Sequence, residues 1–220
     1  MPKPFLHQPV LLPKVLEALD LQPNGIYVDC TFGRGGHTQA ILNRLGTTGQ
    51  VLAFDQDIEA VQAAQALCLT DPRFRVVHST FAQLTQQVEK RDWLGKVNGV
   101  LLDLGVSSPQ LDSPTRGFSF MHDGPLDMRM NPLSGQSVKE WLSSATAFEI
   151  AEVLKIYGEE HQAQRIAQAI VLARQQTELK TTHQLANIII KACPPPYVRK
   201  KAHKEKKTHP ATRSFQALRI

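Results

Sequence analysis

At 220 residues with 42% hydrophobic content, the chain is long enough for one sizeable α/β domain, or a smaller one with an added unit, and too apolar to be disordered. No run approaches the roughly 18 apolar residues of a membrane span, and the Pro-rich N-terminus lacks a signal peptide's apolar core, so a cytoplasmic protein with no membrane partner is expected. The net charge of +5 is uneven: residues 199–220 hold eight Lys or Arg against the single acid Glu205, net +7, while residues 1–198 carry 17 bases against 19 acids, so a polyanionic partner is expected at the basic end.

Residues 9–20 (PVLLPKVLEALD) have the spacing of a short amphipathic helix, and Pro23, Asn24 and Gly25 form the turn that feeds a first strand. That strand, IYVD from Ile26, is a β-branched, apolar run ending in a carboxylate at Asp29, as expected of a buried parallel strand. Gly33, Gly35 and Gly36 crowd the turn behind it, ahead of Thr38 and the helical pattern AILNRL. Glycines there let the backbone turn sharply and approach a ligand, with the amides of a helix start facing it. The three cysteines, Cys30, Cys68 and Cys193, are too scattered for a disulfide framework or a zinc site and are expected to be buried small residues.

A second strand, QVLAFD at 50–55, ends in Asp55, 22 residues after Gly33. A carboxylate there suits ribose hydroxyls. The dinucleotide fingerprint needs a third glycine where Thr38 stands, which disfavours a nicotinamide-dependent oxidoreductase and favours adenosine bound without a diphosphate, as in S-adenosylmethionine. The run IEAVQAAQAL closes a strand-helix-strand crossover, residues 73–78 supply a third strand, and Phe81 follows it, either as core or as a ring that stacks on adenine. The fourth strand is expected at 99–104, apolar on both faces apart from Asp103, a carboxylate at a strand end where open α/β sheets bind ligands.

The alternation then stops. Residues 105–135 are rich in Gly, Ser, Pro, Asp and Arg, too long for an ordinary connection, and are expected to lie over the site. Helices follow, with capping boxes at Ser137 with Glu140 and at Thr146 with Glu149, over residues 147–157, 161–175 and 182–192, the last stopped by Pro194, Pro195 and Pro196. A basic connector at 197–208 leads to a further helix start from Thr212.

In this order the pieces resemble the bacterial small-subunit ribosomal RNA methyltransferase H family. The resemblance is carried by HxxVLL at 7–12, DCTFGRGGHT at 29–38, FDQD at 54–57 and LLDLGVSSPQLD at 101–112. RGFSFMHDGPLDMRM at 116–130, YGEE at 157–160 and HPATRSFQALRI at 209–220 extend it over most of the chain. It implies a class I S-adenosylmethionine-dependent methyltransferase: a Rossmann-like parallel sheet, here incomplete, with an inserted all-helical domain. The division implied is a cofactor-binding core at 1–106, a lid loop and helical RNA-recognition insertion at 107–207, and a return to the core at 208–220. Methylation of N4 of a cytidine in the decoding region is the implied reaction, on small-subunit ribosomal RNA or the assembled subunit, without a metal.

The implied cofactor shell is Gly35, Gly36, His37, Asp55, Phe81, Asp103 and Gln110. The residues by themselves point to the glycines, Asp55, Phe81 and Asp103; His37 and Gln110 come from the resemblance alone. No catalytic base is identified, since His7, His122 and His209 read as structural. The family's chain continues to a GGxL strand and an SFHSLEDR stretch that nothing here matches. The sheet is therefore expected to be unfinished, with the fourth strand as an apolar edge that favours a homodimer or poor stability. The other readings are a non-catalytic RNA-binding or ribosome-assembly protein that keeps the methyltransferase shape, and a DNA amino-methyltransferase, which would carry a DPPY-type motif absent here.

Overall fold

The structure, a computed structural model, describes residues 9–193 and 209–219. It divides into two compact units, Met1–Ser107 and Ser108–Ile220, and no helix in the described residues is long and apolar enough to cross a membrane.

The first unit is built on four parallel strands: β1 (Ile26–Asp29), β2 (Gln50–Asp55), β3 (Phe74–His78) and β4 (Val97–Leu101), in the spatial order β3-β2-β1-β4. α1 (Leu12–Ala18) precedes β1, and α2 (Gly36–Leu42), α3 (Ile58–Thr70) and α4 (Leu84–Glu89) run between the strands. Parallel strands need such crossovers, and the alternation of side chains along a strand sorts the core into two layers. Tyr27, Val51, Ala53 and Phe74 point to one face with Leu16, Ile41, Leu42, Ala60 and Ala64 of the first three helices. Val28, Leu52 and Phe54 point to the other with Val88 of α4.

The fourth strand differs from expectation. It occupies Val97–Leu101 rather than residues 99–104, and Val100, Leu102 and Leu104 are 41%, 46% and 68% exposed. The reason is positional: β4 has β1 on one side and, among the described residues, no strand on the other. Its pairing with β1 slips by one residue, so that Ile26 faces Val97 while Tyr27 faces Gly99. The bulged Asn98 repairs the ladder with its side chain, whose Oδ1 accepts the Ile26 amide at 2.8 Å.

The second unit is helical: α5 (Ser108–Asp112), α6 (Val138–Ser144), α7 (Ala147–Gly158), α8 (Ala163–Gln176), α9 (Thr182–Ala192) and α10 (Thr212–Leu218). Its core is Leu142, Ile150, Leu154, Ile166, Ile170, Leu185 and Ile189, all buried. Both expected capping boxes form, and a third, Thr181 with Gln184, starts α9. Arg174 donates to the carbonyls of Leu142 and Ala145, satisfying acceptors that the end of α6 leaves open.

The long loop after α5 belongs to this unit and is sewn to α9. Leu126 N donates to Lys180 O at 3.0 Å, Thr182 N to Gly124 O at 2.8 Å and His183 N to Asp123 Oδ1 at 3.0 Å. Helix α10, in the segment expected to return to the core, packs on α7: a Cβ on Gly158 would meet Arg213 O at 2.5 Å, so only glycine admits that approach. The basic run at 199–207 and His7 lie outside the described residues.

Candidate functional site

The carboxyl ends of β1, β2 and β4 bring together the polar residues of the first unit. Asp29, at the tip of β1, is fully buried; it accepts Thr38 Oγ1 at 2.7 Å on one oxygen and the Thr31 amide at 3.1 Å on the other. Burial, the largest influence, pushes its carboxyl above the ordinary carboxylate range, and those hydrogen bonds pull back against it. Thr38 thus breaks the dinucleotide fingerprint for a positive reason: it is the hydroxyl that satisfies Asp29. In the sequence Asp29 stands only as a strand end; the signal of its buried partnership is a hydroxyl nine residues on, in the first turn of the next helix.

Asp55, at the tip of β2, is held from the glycine loop. Its Oδ2 accepts the Gly33 amide at 2.8 Å and its Oδ1 accepts the Asp57 amide at 2.9 Å. The 22-residue spacing is therefore closed by a direct hydrogen bond. Burial pushes this carboxyl upward as well, with the backbone amides of Asp57, Gly33 and Gln56 opposing. Asp57 takes the other task in FDQD, accepting the Glu59 amide at 3.0 Å as N-cap of α3.

The two glycines assigned to the cofactor have distinct structural reasons. Gly35 caps α2 with φ at +76°, a left-handed conformation that L side chains rarely adopt, while a Cβ on Gly36 would collide with the Pro9 ring. His37 is buried at 7% exposure; its Nε2 donates to the Val10 carbonyl at 3.0 Å, and its Nδ1 lies 3.8 Å from Asp103 Oδ2. Asp103 follows β4, its side chain 46% exposed and its amide donating to Thr31 Oγ1 at 2.8 Å. Phe81, in a short 3-10 turn after β3, is 43% exposed, a ring with an accessible face.

Gln110 lies on α5 in the second unit, buried, and is assigned there. The remaining candidates have local tasks. His209 stacks on Phe120 at 4.6 Å and accepts the Ala211 amide on Nδ1, and the His122 carbonyl accepts Thr182 Oγ1. Cys30 is buried with its thiol pushed up to about 11 by desolvation, an unreactive group at neutral pH. No cluster of His, Cys, Asp and Glu able to hold a metal occurs among the described residues.

A glycine loop after β1, acids past β2 and β4, and an exposed ring after β3, all on one edge of a parallel sheet, define the nucleoside-binding half of a class I methyltransferase fold. The chain belongs to the MraW methylase family, which it matches over residues 4–220. Proteins called ribosomal RNA small subunit methyltransferase H are similar to it: that of Hydrogenovibrio crunogenus at 54% identity, of Nitrosococcus oceani at 53% and of Coxiella burnetii at 52%. Each comparison covers 97% of this chain and 65%, 65% and 67% of the relative, so the chain spans about two thirds of the length of these proteins. A solved structure of a SAM dependent methyltransferase from Aquifex aeolicus aligns at 18% identity over 47% of this chain and 73% of its own, with a TM-score of 0.30, too slight a likeness to argue from.

The strand tips fit S-adenosylmethionine. Asp55 is a half-buried carboxylate at the tip of β2, a group of the kind that can accept from ribose hydroxyls. Phe81 offers a face for adenine, and the loop between β1 and α2 has no side chain on Gly33 or Gly35 to fill the approach.

Proposed function

We propose that this chain forms the cofactor-binding and RNA-recognising part of a cytoplasmic S-adenosyl-L-methionine-dependent methyltransferase. Its acceptor is N4 of a cytidine in the decoding region of small-subunit ribosomal RNA, free or in the assembled subunit. The observation that carries the reading is the accessible row Asp55, Phe81 and Asp103 along one sheet edge, in a chain matched to a methylase family over nearly its whole length. The name of the relatives supports the substrate class.

When bound, the cofactor supplies a methyl group already activated by its sulfonium. The protein's task is then alignment of acceptor nitrogen, methyl carbon and sulfur, an effect that supplies roughly 7–11 kcal/mol. In the proposed arrangement Asp55 accepts the ribose hydroxyls, the Phe81 ring packs on the adenine, and Gly35, Gly36 and His37 form the loop around the cofactor. Asp103 holds the cofactor from the β4 side, and Gln110 is proposed as a cofactor residue on the family motif alone. Bound there, the cofactor would give its methyl to N4 and leave as the thioether, and the amino proton would go to water. The cytosine must first leave its stack, because a paired N4 is inaccessible.

The second unit is proposed as the RNA-recognising part, with Lys200, Lys201, Lys204, Lys206 and Lys207 of the basic run contacting phosphates. Neutralising those lysines should flatten the salt dependence of RNA binding, and an unchanged slope rejects that role. Transfer of tritiated methyl from S-adenosylmethionine to small ribosomal subunits, naked ribosomal RNA and DNA tests the whole. Label in ribosomal RNA and none in DNA is expected. Cofactor and RNA binding without transfer would favour the non-catalytic RNA-binding reading, and no cofactor binding would end the proposal.

A further inference from the structure

We propose that Thr31 is a positioning residue for the cofactor site: its hydroxyl oxygen takes the Asp103 amide in place of a main-chain acceptor, and so sets where the Asp103 carboxylate stands between the tips of β1 and β4. The inference rests on the cofactor site proposed above and deepens it, adding a residue that acts through Asp103 rather than on the cofactor.

The strand order β3-β2-β1-β4 places the reversal of the sheet between β1 and β4, the crevice where open α/β sheets bind ligands. Up to Leu101 the two strands are joined by main-chain bonds, the last running from the Cys30 amide to the Leu101 carbonyl at 2.9 Å. One step further, a regular parallel ladder would carry the Asp103 amide to the Cys30 carbonyl. That amide donates instead to Thr31 Oγ1 at 2.8 Å. A side chain has taken the place of a carbonyl, and β4 ends at Leu101, just before the residue whose carboxylate faces the crevice.

Thr31 can serve as that acceptor because its own main chain is fixed. Its amide donates to the Asp29 carboxylate at 3.1 Å, a fully buried group that Thr38 also holds. The next amide, that of Phe32, donates to the Phe54 carbonyl of β2 at 3.0 Å. A β-branched side chain on such a backbone has few rotamers, so the hydroxyl is in place before any ligand arrives. Asp103 takes its position from this anchor: it lies past the end of β4, an edge among the described residues, and its side chain is 46% exposed. The bond to Thr31 is itself exposed, so water replaces it at little cost in stability. Water fixes no position, and the loss therefore falls on binding, which depends on groups ordered in advance.

The test is calorimetric titration of S-adenosylhomocysteine into the 220-residue chain and its variants, with a melt of each. Thr31→Val keeps the shape and removes the acceptor; it is expected to weaken binding about three- to tenfold, the range of one hydrogen bond, with a melt close to that of the wild type. Thr31→Ser keeps the oxygen and should restore most of the affinity. Because Thr31 acts through Asp103, Thr31→Val should add nothing to the loss caused by Asp103→Ala. Losses that multiply in the double variant, a Ser variant no better than the Val one, or a Val variant with wild-type affinity each overturn the assignment. Hydrogen exchange of the Asp103 amide in the wild type needs no variant to fold: protection is expected, and free exchange overturns the bond itself. Any of these failures leaves the cofactor reading standing while the wild type binds and Asp55→Ala does not. A wild type that binds no S-adenosylhomocysteine sinks that reading, and this inference with it.

Discussion

Strands β2 and β4 both pair in parallel with β1, and both are largely apolar, yet they end in opposite conditions. Val51, Leu52, Ala53 and Phe54 of β2 are completely buried, whereas Val100 of β4 is 41% exposed and Leu102 and Leu104 past its end are more so. β2 has strands on both sides and a core layer on each face; β4 has one strand neighbour among the described residues. An apolar run therefore states that a segment can be buried, and its neighbours decide whether it is. The same contrast runs through the tips: Asp55 accepts the backbone amides of Gly33 and Asp57, while the half-exposed Asp103 carboxylate lies 3.8 Å from the His37 ring.

The largest expected effect tests the core of this contrast. Phe54→Ala, which empties a fully buried position beside Val28, Leu52 and Val88, should cost about 3–5 kcal/mol in denaturant melts. Val100→Ala should cost under about 1 kcal/mol, because less surface leaves water there in the first place. Equal losses would mean that β4 is covered in solution. Asp55→Ala comes next: it strands the Gly33 and Asp57 amides, at about 1–3 kcal/mol for each one left without a partner. It should also abolish measurable S-adenosylhomocysteine binding, whereas Asp103→Ala should weaken that binding with little change in the melt.

A smaller effect follows from Asp29. Its folded-state pKa is raised, so the folded form binds more protons than the unfolded chain between the ordinary carboxylate value near ~3.9 and the raised value. Stability from this group therefore rises as pH falls through that window and is lowest above it. Asp29→Asn, whose amide can serve both Thr31 and Thr38, should raise the melting temperature at neutral pH and remove that acid-side gain. A neutral-pH melting temperature lowered by the substitution would show that the charge itself is needed. The edge supplies the last prediction: if the apolar β4 edge self-associates as its sequence leads one to expect, Val100→Lys should suppress this, read as a lower weight-average mass in sedimentation, with the melt nearly unchanged. A wild type that sediments as a monomer removes the premise.

Much of the first unit was legible because its signals are local. β1 and β2 fall on the residues expected, β3 starts one residue later than expected, and the helix expected at 182–192 is α9. β4 was placed two residues late and read as buried, since periodicity does not reveal a missing neighbour. At the site, Asp55 was found through its spacing, and the Gly33 contact explains why that spacing holds. The bonds of Thr38 and Thr31 to the buried Asp29, and the turn of His37 toward Val10 and Asp103, were not legible, because they join residues that only the folded strand tips bring together.

The sequence by itself determined the strand-helix alternation, the glycine turn, the acids at the strand ends and membership of a methylase family. These are properties of runs and spacings, set by backbone propensity and side-chain period. Only the tertiary structure decided that β4 is an open edge, that the loop after α5 completes the helical unit, and that a buried histidine stands among acceptors. Burial and hydrogen-bond partnership depend on which surfaces meet, and no stretch of chain carries that information alone.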